Sequence, residues 1–95
     1  MGNENGISND KGNYNSFFGY KTGHGNINGM NNSFFGYNSG YSCTGSDNSF
    51  YGSNSGSANT IGIYNSFLGS NSGKNNQSGT QNVFIGYNSG YGNTS

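Results

Sequence analysis

The chain has 95 residues, of which only 6% are charged and 27% are apolar, and its formal net charge is zero. It contains no Arg, which with zero net charge argues against a nucleic-acid-binding surface. No apolar run approaches the roughly 18 residues that predict a membrane-spanning helix. The single Cys excludes an intrachain disulfide framework. The chain has 19 glycines, a composition typical of disorder, yet its 7 Phe and 8 Tyr at regular intervals favour an ordered repeat.

The first segment, residues 1–11, is polar and lacks the apolar stretch of a signal peptide. It matches the end of a preceding repeat, with Gly6 equivalent to Gly23. We therefore expect the chain to be part of a longer array, or to have ends that are covered by other chains, because solenoids need capping repeats.

From residue 12 onward one motif returns five times, and we treat residues 1–95 as a single repeat array. The unit is Gly-x-x-Asn-Ser-Phe-Φ-Gly-[Tyr/Ser]-Asn-Ser-Gly, where Φ is large and apolar, followed by four or five variable residues. After the partial repeat 1–11, the full repeats are 12–28, 29–44, 45–61, 62–78 and 79–95.

Two glycines of each unit predict turns, because glycine adopts positive φ at no steric cost. These turn glycines are Gly19, Gly36, Gly52, Gly69, Gly86, Gly23, Gly40, Gly56, Gly73 and Gly90. Glycine at this density makes a helix implausible, and Asn-Ser-Phe-Φ is typical of a short strand. The variable part, such as residues 59–61, could form a second strand. We therefore predict an all-β fold, a β-solenoid or β-roll of about 17-residue coils.

Adjacent strand residues point to opposite faces, so the two large residues of each motif form two separate columns. The predicted core column is Phe17, Phe34, Phe50, Phe67 and Phe84. The predicted interchain column is Phe18, Phe35, Tyr51, Leu68 and Ile85. A thin coil has one inside, so the second column must be buried elsewhere. We expect a homo-oligomer, with a trimer favoured because a threefold axis lets three coils share one core.

The sequence offers little material for catalysis. His24 is the only His and occupies a variable position, and the three acidic residues are scattered. Cys43 also falls in a variable segment, where a small, half-buried filler is expected. We predict no enzyme activity, no catalytic residues, no cofactor and no metal site.

Polar and aromatic columns remain as candidates for binding. The Asn-Ser pairs after the first turn, such as Asn38-Ser39, predict turn chemistry with an Asn ladder, or a flat polar face that orders water or binds a surface. The tyrosines that follow the turns are candidate ligand contacts: Tyr20, Tyr37, Tyr87, Tyr41 and Tyr91. The alternative interpretation of these rings is that they pack at a chain interface.

The segment from Asn82 to Thr94, Asn-Val-Phe-Ile-Gly-Tyr-Asn-Ser-Gly-Tyr-Gly-Asn-Thr, resembles the Asn-Thr-Phe-Ile-Gly-Tyr-Asn-Ala-Gly-type arrays of bacterial surface and phage tail-fibre proteins. More distantly, the motif resembles the head repeats of trimeric autotransporter adhesins. The resemblance implies a trimeric β-roll, extracellular, on a cell surface or on a virion fibre, that acts as a rigid shaft or a receptor-binding head. A cell-surface glycan or protein receptor is the implied partner, with no nucleic acid and no membrane insertion.

Two alternatives stay open. One is an ice- or surface-binding solenoid that works as a monomer through a flat Asn/Ser face. The other is a self-assembling filament subunit whose coils stack end to end. The solution mass separates the three hypotheses.

Overall fold

A computed structural model describes residues 13–26 and 28–95, and within these ranges the chain is all β without a helix. The partial repeat predicted for residues 1–11 lies outside the described residues. Each motif contributes one three-residue strand. The strands are Ser16–Phe18 (β1), Ser33–Phe35 (β2), Ser49–Tyr51 (β3), Ser66–Leu68 (β4) and Val83–Ile85 (β5). All five lie where the Asn-Ser-Phe-Φ motif predicted them.

The strands form one parallel sheet in the order β1-β2-β3-β4-β5, and equivalent residues pair directly. Phe17 lies opposite Phe34, and Phe34 lies opposite Phe50. The 16-residue repeat 29–44 therefore keeps the same register as its 17-residue neighbours. One repeat makes one coil and adds one strand, which confirms the predicted β-solenoid.

Each coil has one strand among the described residues, and the second strand suggested for the variable part does not form. The backbone N–H groups of Thr60 and Ile61 both donate to the carbonyl of Gln77, at 2.9 and 3.1 Å. A strand ladder needs a separate acceptor for each pairing residue, so this corner is joined to the next coil as a turn. Ile27, which is equivalent to Thr60 in the first repeat, lies outside the described residues.

The turn after each strand depends on glycine at two positions, as the second coil shows. Gly36 has a φ of 129°, and a Cβ there would lie 2.7 Å from the carbonyl oxygen of Gly52. Gly40 has a φ of 59°, and a Cβ there would lie 2.5 Å from the ring of Phe34. Between them, Asn38 adopts the left-handed conformation (φ 56°) that Asn tolerates better than most side chains. The glycine spacing thus lets the turn fold back onto the phenylalanine.

The inside of the solenoid contains a continuous stack of phenylalanine rings. Phe34, Phe50 and Phe67 are fully buried, and Phe17 and Phe84 are partly buried at the two ends of the stack. Successive ring centroids are 5.1, 4.8, 4.7 and 4.9 Å apart, with interplanar angles of 15° or less. These parallel rings form the apolar part of the core.

The other part of the core is polar and consists of two asparagine ladders. The first is the Asn that precedes each strand: Asn15, Asn32, Asn48, Asn65 and Asn82. Its Oδ1 accepts from the backbone N–H of the equivalent Asn one coil later, at 2.9–3.0 Å. Its Nδ2 donates to the glycine carbonyl that opens the next repeat, as Asn65 does to Gly79 at 2.8 Å. The first four of these side chains therefore each join two coils through two hydrogen bonds, whereas Nδ2 of Asn82, in the last coil, has no partner among the described residues.

The second ladder consists of Asn26, Asn59, Asn76 and Asn93, with Cys43 in the equivalent position of the second coil. Nδ2 of Asn76 donates to Oδ1 of Asn59 at 2.9 Å, and Nδ2 of Asn93 donates to Oδ1 of Asn76 at 2.9 Å. Asn26, Asn59 and Asn76 are fully buried. Buried amides are stable only when their hydrogen bonds are made, and the stacking of the last three coils makes them between Asn59, Asn76 and Asn93.

Candidate functional site

The outer face of the sheet carries an exposed apolar column. It comprises Phe18, Phe35, Tyr51, Leu68 and Ile85, the residues predicted for an interchain contact. Phe18, Leu68 and Ile85 are 50%, 52% and 67% exposed in the single chain. The rings of Phe35 and Tyr51 stack at 4.8 Å. The column therefore runs along the whole described length of the sheet as a stripe of large apolar side chains.

The stripe is narrow over most of its length and broadens at one end. Outward-facing Ser33, Ser49 and Ser66 lie beside it on β2, β3 and β4, whereas β5 has Val83 at this position, 66% exposed. Around Val83 and Leu68 the face has a shallow apolar recess of about 330 Å³. A surface of this kind on an isolated chain is an aggregation liability or an interaction site.

The five candidate tyrosines form two columns of outward rings. One column follows the first turn glycine of each repeat, and the other follows the second. Tyr20 and Tyr37 stack with ring centroids 5.7 Å apart, and Tyr87 belongs to the same column but is separated from them by two coils with Ser. In the other column Tyr41 stacks on His24 at 4.8 Å. Tyr91 lies there too, with Nζ of Lys74 5.7 Å from its ring centroid.

A groove of about 380 Å³ runs between these two columns, which we call the tyrosine groove. Its lining residues are Lys21, Tyr37, Asn38, Tyr41, Asn54, Ser57 and Lys74. Nδ2 of Asn38 donates to Oδ1 of Asn54 at 3.2 Å, which links the floor of the groove across two coils. The structure thus brings Tyr37 and Tyr41 together at one site, and leaves Tyr20, Tyr87 and Tyr91 outside its lining.

The Asn-Ser pairs do not form a flat outer face, because the two side chains of each pair point in different directions. Ser39, Ser55 and Ser72 are fully buried. Their hydroxyls donate to the carbonyls of Phe50, Phe67 and Phe84 in the next coil, at 3.1, 3.4 and 2.9 Å. The Asn side chains alone face outward. The flat Asn/Ser face assumed by the surface-binding alternative is therefore reduced to a column of Asn side chains.

Cys43 is fully buried rather than half-buried, and it belongs to the second asparagine ladder. Its Sγ accepts from Nδ2 of Asn59 at 3.3 Å and from Nδ2 of Asn48 at 3.6 Å. Burial raises the pKa of the Cys43 thiol to about 11, although its hydrogen bonds with Asn59, Gly45 and Asn48 oppose the shift. The thiol therefore stays protonated and acts as a weak acceptor in the ladder.

Side chains that commonly ligate metals do not cluster in the part of the chain that the structure describes. Residues 13–26 and 28–95 include no group of three or more His, Cys, Asp or Glu side chains placed to hold a metal ion. His24 is half-buried against Tyr41, and Asp47 accepts from Nδ2 of Asn31 at 3.1 Å. The same ranges contain no helix long and apolar enough to span a membrane.

Sequence reasoning identified the Asn column that contributes Asn38 to the groove, but missed that the lysines lie beside it. Lys21 and Asn38 occupy equivalent positions in consecutive repeats, and Lys74 is equivalent to Tyr41. Their side chains converge only because the turn brings the ninth and twelfth residues after each opening glycine to the same side of the coil. The sequence signal was the return of Asn at the first of these positions in four repeats.

The fold, the apolar stripe and the groove define this chain as a parallel β-solenoid repeat protein. No protein-family model, curated protein or solved structure matched the chain.

Proposed function

We propose that the chain is a structural and adhesive segment of a homotrimeric fibre, in which three solenoids pack through their sheet faces around a common axis. The observation that carries the proposal is the exposed apolar column from Phe18 to Ile85, which has no covering element among the described residues. Continuous apolar surface of this length is removed from water most simply by an equivalent surface on another chain.

The width of the column supports a threefold axis over a flat pairing of two sheets. On β1 to β4 the apolar column is one side chain wide, because the other outward residue is Ser. Flat sheet-on-sheet packing interdigitates several rows of apolar residues. A single row from each of three chains converges on an axis and forms a closed core with no further partner.

The fibre role follows from the shape of the repeat. Parallel in-register coils add about 4.8 Å each and can be repeated without limit, so an array of this unit is a stiff rod. The resemblance of residues 82–94 to surface and tail-fibre repeats supports an exposed location, on a cell surface or a virion. In such a fibre the segment would act as a shaft, with the outward side chains available for binding.

Sedimentation of the purified chain tests this proposal. We expect a species of three times the 10.0 kDa chain mass that dissociates, or unfolds, when Phe35 and Leu68 are both replaced by Asn. The matched control replaces Ser53 and Ser70 by Asn, since these exposed residues lie outside the column. A parent chain that is stable and monomeric at micromolar concentration would overturn the proposal. A mass that grows without limit with concentration would favour end-to-end filaments instead.

A further inference from the structure

The tyrosine groove combines lysine ammonium groups, tyrosine rings, and the amide and hydroxyl groups of Asn and Ser. Lys21 and Lys74 both line it, and they are the only lysines within residues 13–26 and 28–95. Asp47, the one acidic residue in those ranges, is not in the lining. The groove therefore carries a local positive charge on a chain whose formal net charge is zero.

The two lysines lie at opposite ends of the groove and are held beside aromatic rings. They are three coils apart, about 14 Å along the axis at the usual strand spacing of about 4.8 Å. Nζ of Lys21 lies 5.3 Å from the ring centroid of Tyr20, and Nζ of Lys74 lies 5.7 Å from that of Tyr91. Cation–π contacts of this kind fix the ammonium groups without neutralising their charge.

The middle of the groove is polar and is flanked by open ring faces. Tyr37 is stacked on Tyr20 from the preceding coil, and Tyr41 on His24. In the following coil both columns change to Ser, at Ser53 and Ser57, so no further ring covers Tyr37 or Tyr41 on that side. Asn54 and Ser57 lie at this step and supply amide and hydroxyl groups.

We propose that the tyrosine groove binds an acidic oligosaccharide. A pyranose ring has an apolar face that packs on an aromatic ring and a rim of hydroxyls that pair with amides and Ser hydroxyls. A chain of such rings that bears carboxylates would reach both ammonium groups at once, and charge-assisted hydrogen bonds are the strongest that the groove can offer. The proposal deepens the adhesive part of the proposed function by naming the ligand class.

Single-stranded nucleic acid is the other ligand that uses stacking and positive charge, and the groove fits it less well. Nucleic-acid affinity depends on neutralising many phosphates in succession. The groove supplies two cations, about 14 Å apart, and the chain has no Arg. Asn and Ser between the lysines match the ring hydroxyls of an oligosaccharide.

The groove would stay accessible in the proposed fibre. None of the residues that line it belongs to the apolar column, because they follow the strand by two or more residues and lie in the turn or beyond it. Binding and oligomerisation can therefore be tested separately on the same protein.

Titration of the full chain with tetragalacturonate, followed by calorimetry and by chemical shifts of the tyrosine rings, tests the ligand class. The methyl-esterified tetramer is the matched neutral probe, and an oligothymidylate of the same charge is the nucleic-acid probe. We expect binding of the acid form, weaker binding of the ester, and an affinity for the acid form that falls as salt rises. Equal binding of acid and ester, no acid-dependent shift at millimolar concentration, or tighter binding of the oligothymidylate would each overturn the proposal.

Variants locate the site. Lys21→Gln and Lys74→Gln should each weaken tetragalacturonate binding roughly tenfold, the effect of one lost charge-assisted hydrogen bond. Tyr14→Ser and Tyr64→Ser are the controls, because these exposed rings lie outside the groove lining and should leave affinity unchanged. Unchanged affinity in both lysine variants would overturn the assignment. Sedimentation of each variant separates loss of binding from loss of the oligomer, so the fibre proposal can fail while the groove proposal survives, and the reverse.

Discussion

The backbone N–H of Asn65 donates to Oδ1 of Asn48, 2.9 Å away in the preceding coil. The amide of Asn65 repeats the same contact toward the following coil, where its Oδ1 accepts from the N–H of Asn82 at 3.0 Å. A buried side chain thus acts as a backbone extension that carries hydrogen bonding through the centre of the solenoid.

Asn65→Ala removes this extension and should destabilise the protein by about 2–4 kcal/mol. The change leaves the N–H of Asn82 without its acceptor, and a buried polar group left unpaired costs about 1–3 kcal/mol. It also removes one of two donors to the carbonyl of Gly79, which keeps Nδ2 of Asn76 at 3.3 Å, so this second loss is that of one hydrogen bond, about 1 kcal/mol. Urea denaturation of the variant beside the parent gives the value. Gln77→Ala, at an exposed position, is the control and should stay within about 0.5 kcal/mol of the parent. Equal stability of both variants would contradict the ladder's role.

Phe67→Ala should cost about 3–5 kcal/mol, as for other truncations of a buried Phe. Its ring is stacked between Phe50 and Phe84, at 4.7 and 4.9 Å, so the truncation leaves a void with rings on both sides. Phe84→Ala should cost less, because Phe84 is only partly buried. Thermal unfolding followed by far-ultraviolet circular dichroism measures both. A Phe67→Ala variant as stable as the parent would mean that the stack is not the core.

The Cys43 thiol should be protected from thiol reagents in the folded protein and should react on denaturation. Reaction requires the thiolate, and burial raises the pKa of Cys43 from 9.0 to about 11. A colorimetric thiol assay at pH 8 with and without denaturant checks the protection. Rapid reaction of the native chain would contradict it.

The same shift predicts how stability depends on pH. The folded thiol holds its proton more tightly than the unfolded one, so the unfolded state binds fewer protons between pH 9 and 11. The stabilisation that the protonated Cys43 thiol gives the folded state is therefore intact below pH 9 and is lost as pH rises toward 11. The free energy of unfolding falls by on the order of 3 kcal/mol over this interval. Cys43→Ser lacks this titration and should lose less stability over that interval. If the free energy of unfolding fell equally with pH in the two proteins, the pH dependence would not come from Cys43.

Cys43→Asn should stabilise the chain by about 1 kcal/mol, the net value of a typical hydrogen bond. An Asn here would accept from Nδ2 of Asn59 through an oxygen, as Asn59 does from Asn76 at 2.9 Å. The present sulfur accepts from Asn59 at 3.3 Å. Denaturation midpoints of the two proteins make the comparison, and a less stable variant would show that the second coil cannot hold the larger side chain.

The spacing of the motif was enough to predict the strands and the inward and outward direction of Phe34 and Phe35, because strand alternation and turn glycines are local rules. The second asparagine ladder was missed, although Asn59, Asn76 and Asn93 recur at 17-residue intervals. Asn is common throughout the chain, so its return at one position did not stand out from composition. Burial of an amide also depends on contacts between coils, which no single repeat contains.

The tyrosine groove was only partly predictable for a related reason. Tyr37 and Tyr41 were recognisable as outward rings, but Lys21 and Lys74 looked like isolated substitutions in two different columns. Only the turn, with Gly40 packed on Phe34, places those columns side by side.

The second coil completes the same circuit with one residue fewer than its neighbours, and the missing residue falls between Thr44 and Gly45. Phe34 still lies opposite both Phe17 and Phe50, so the shorter corner leaves the register of the strands unchanged. The turn between Gly36 and Gly40 has no such freedom, since both of its glycines are fixed by φ and by close approach. Evolution or an engineer can therefore lengthen the repeat at the Thr44 corner, where a grafted peptide would project from the rod at a known height and leave its helical pitch unaltered.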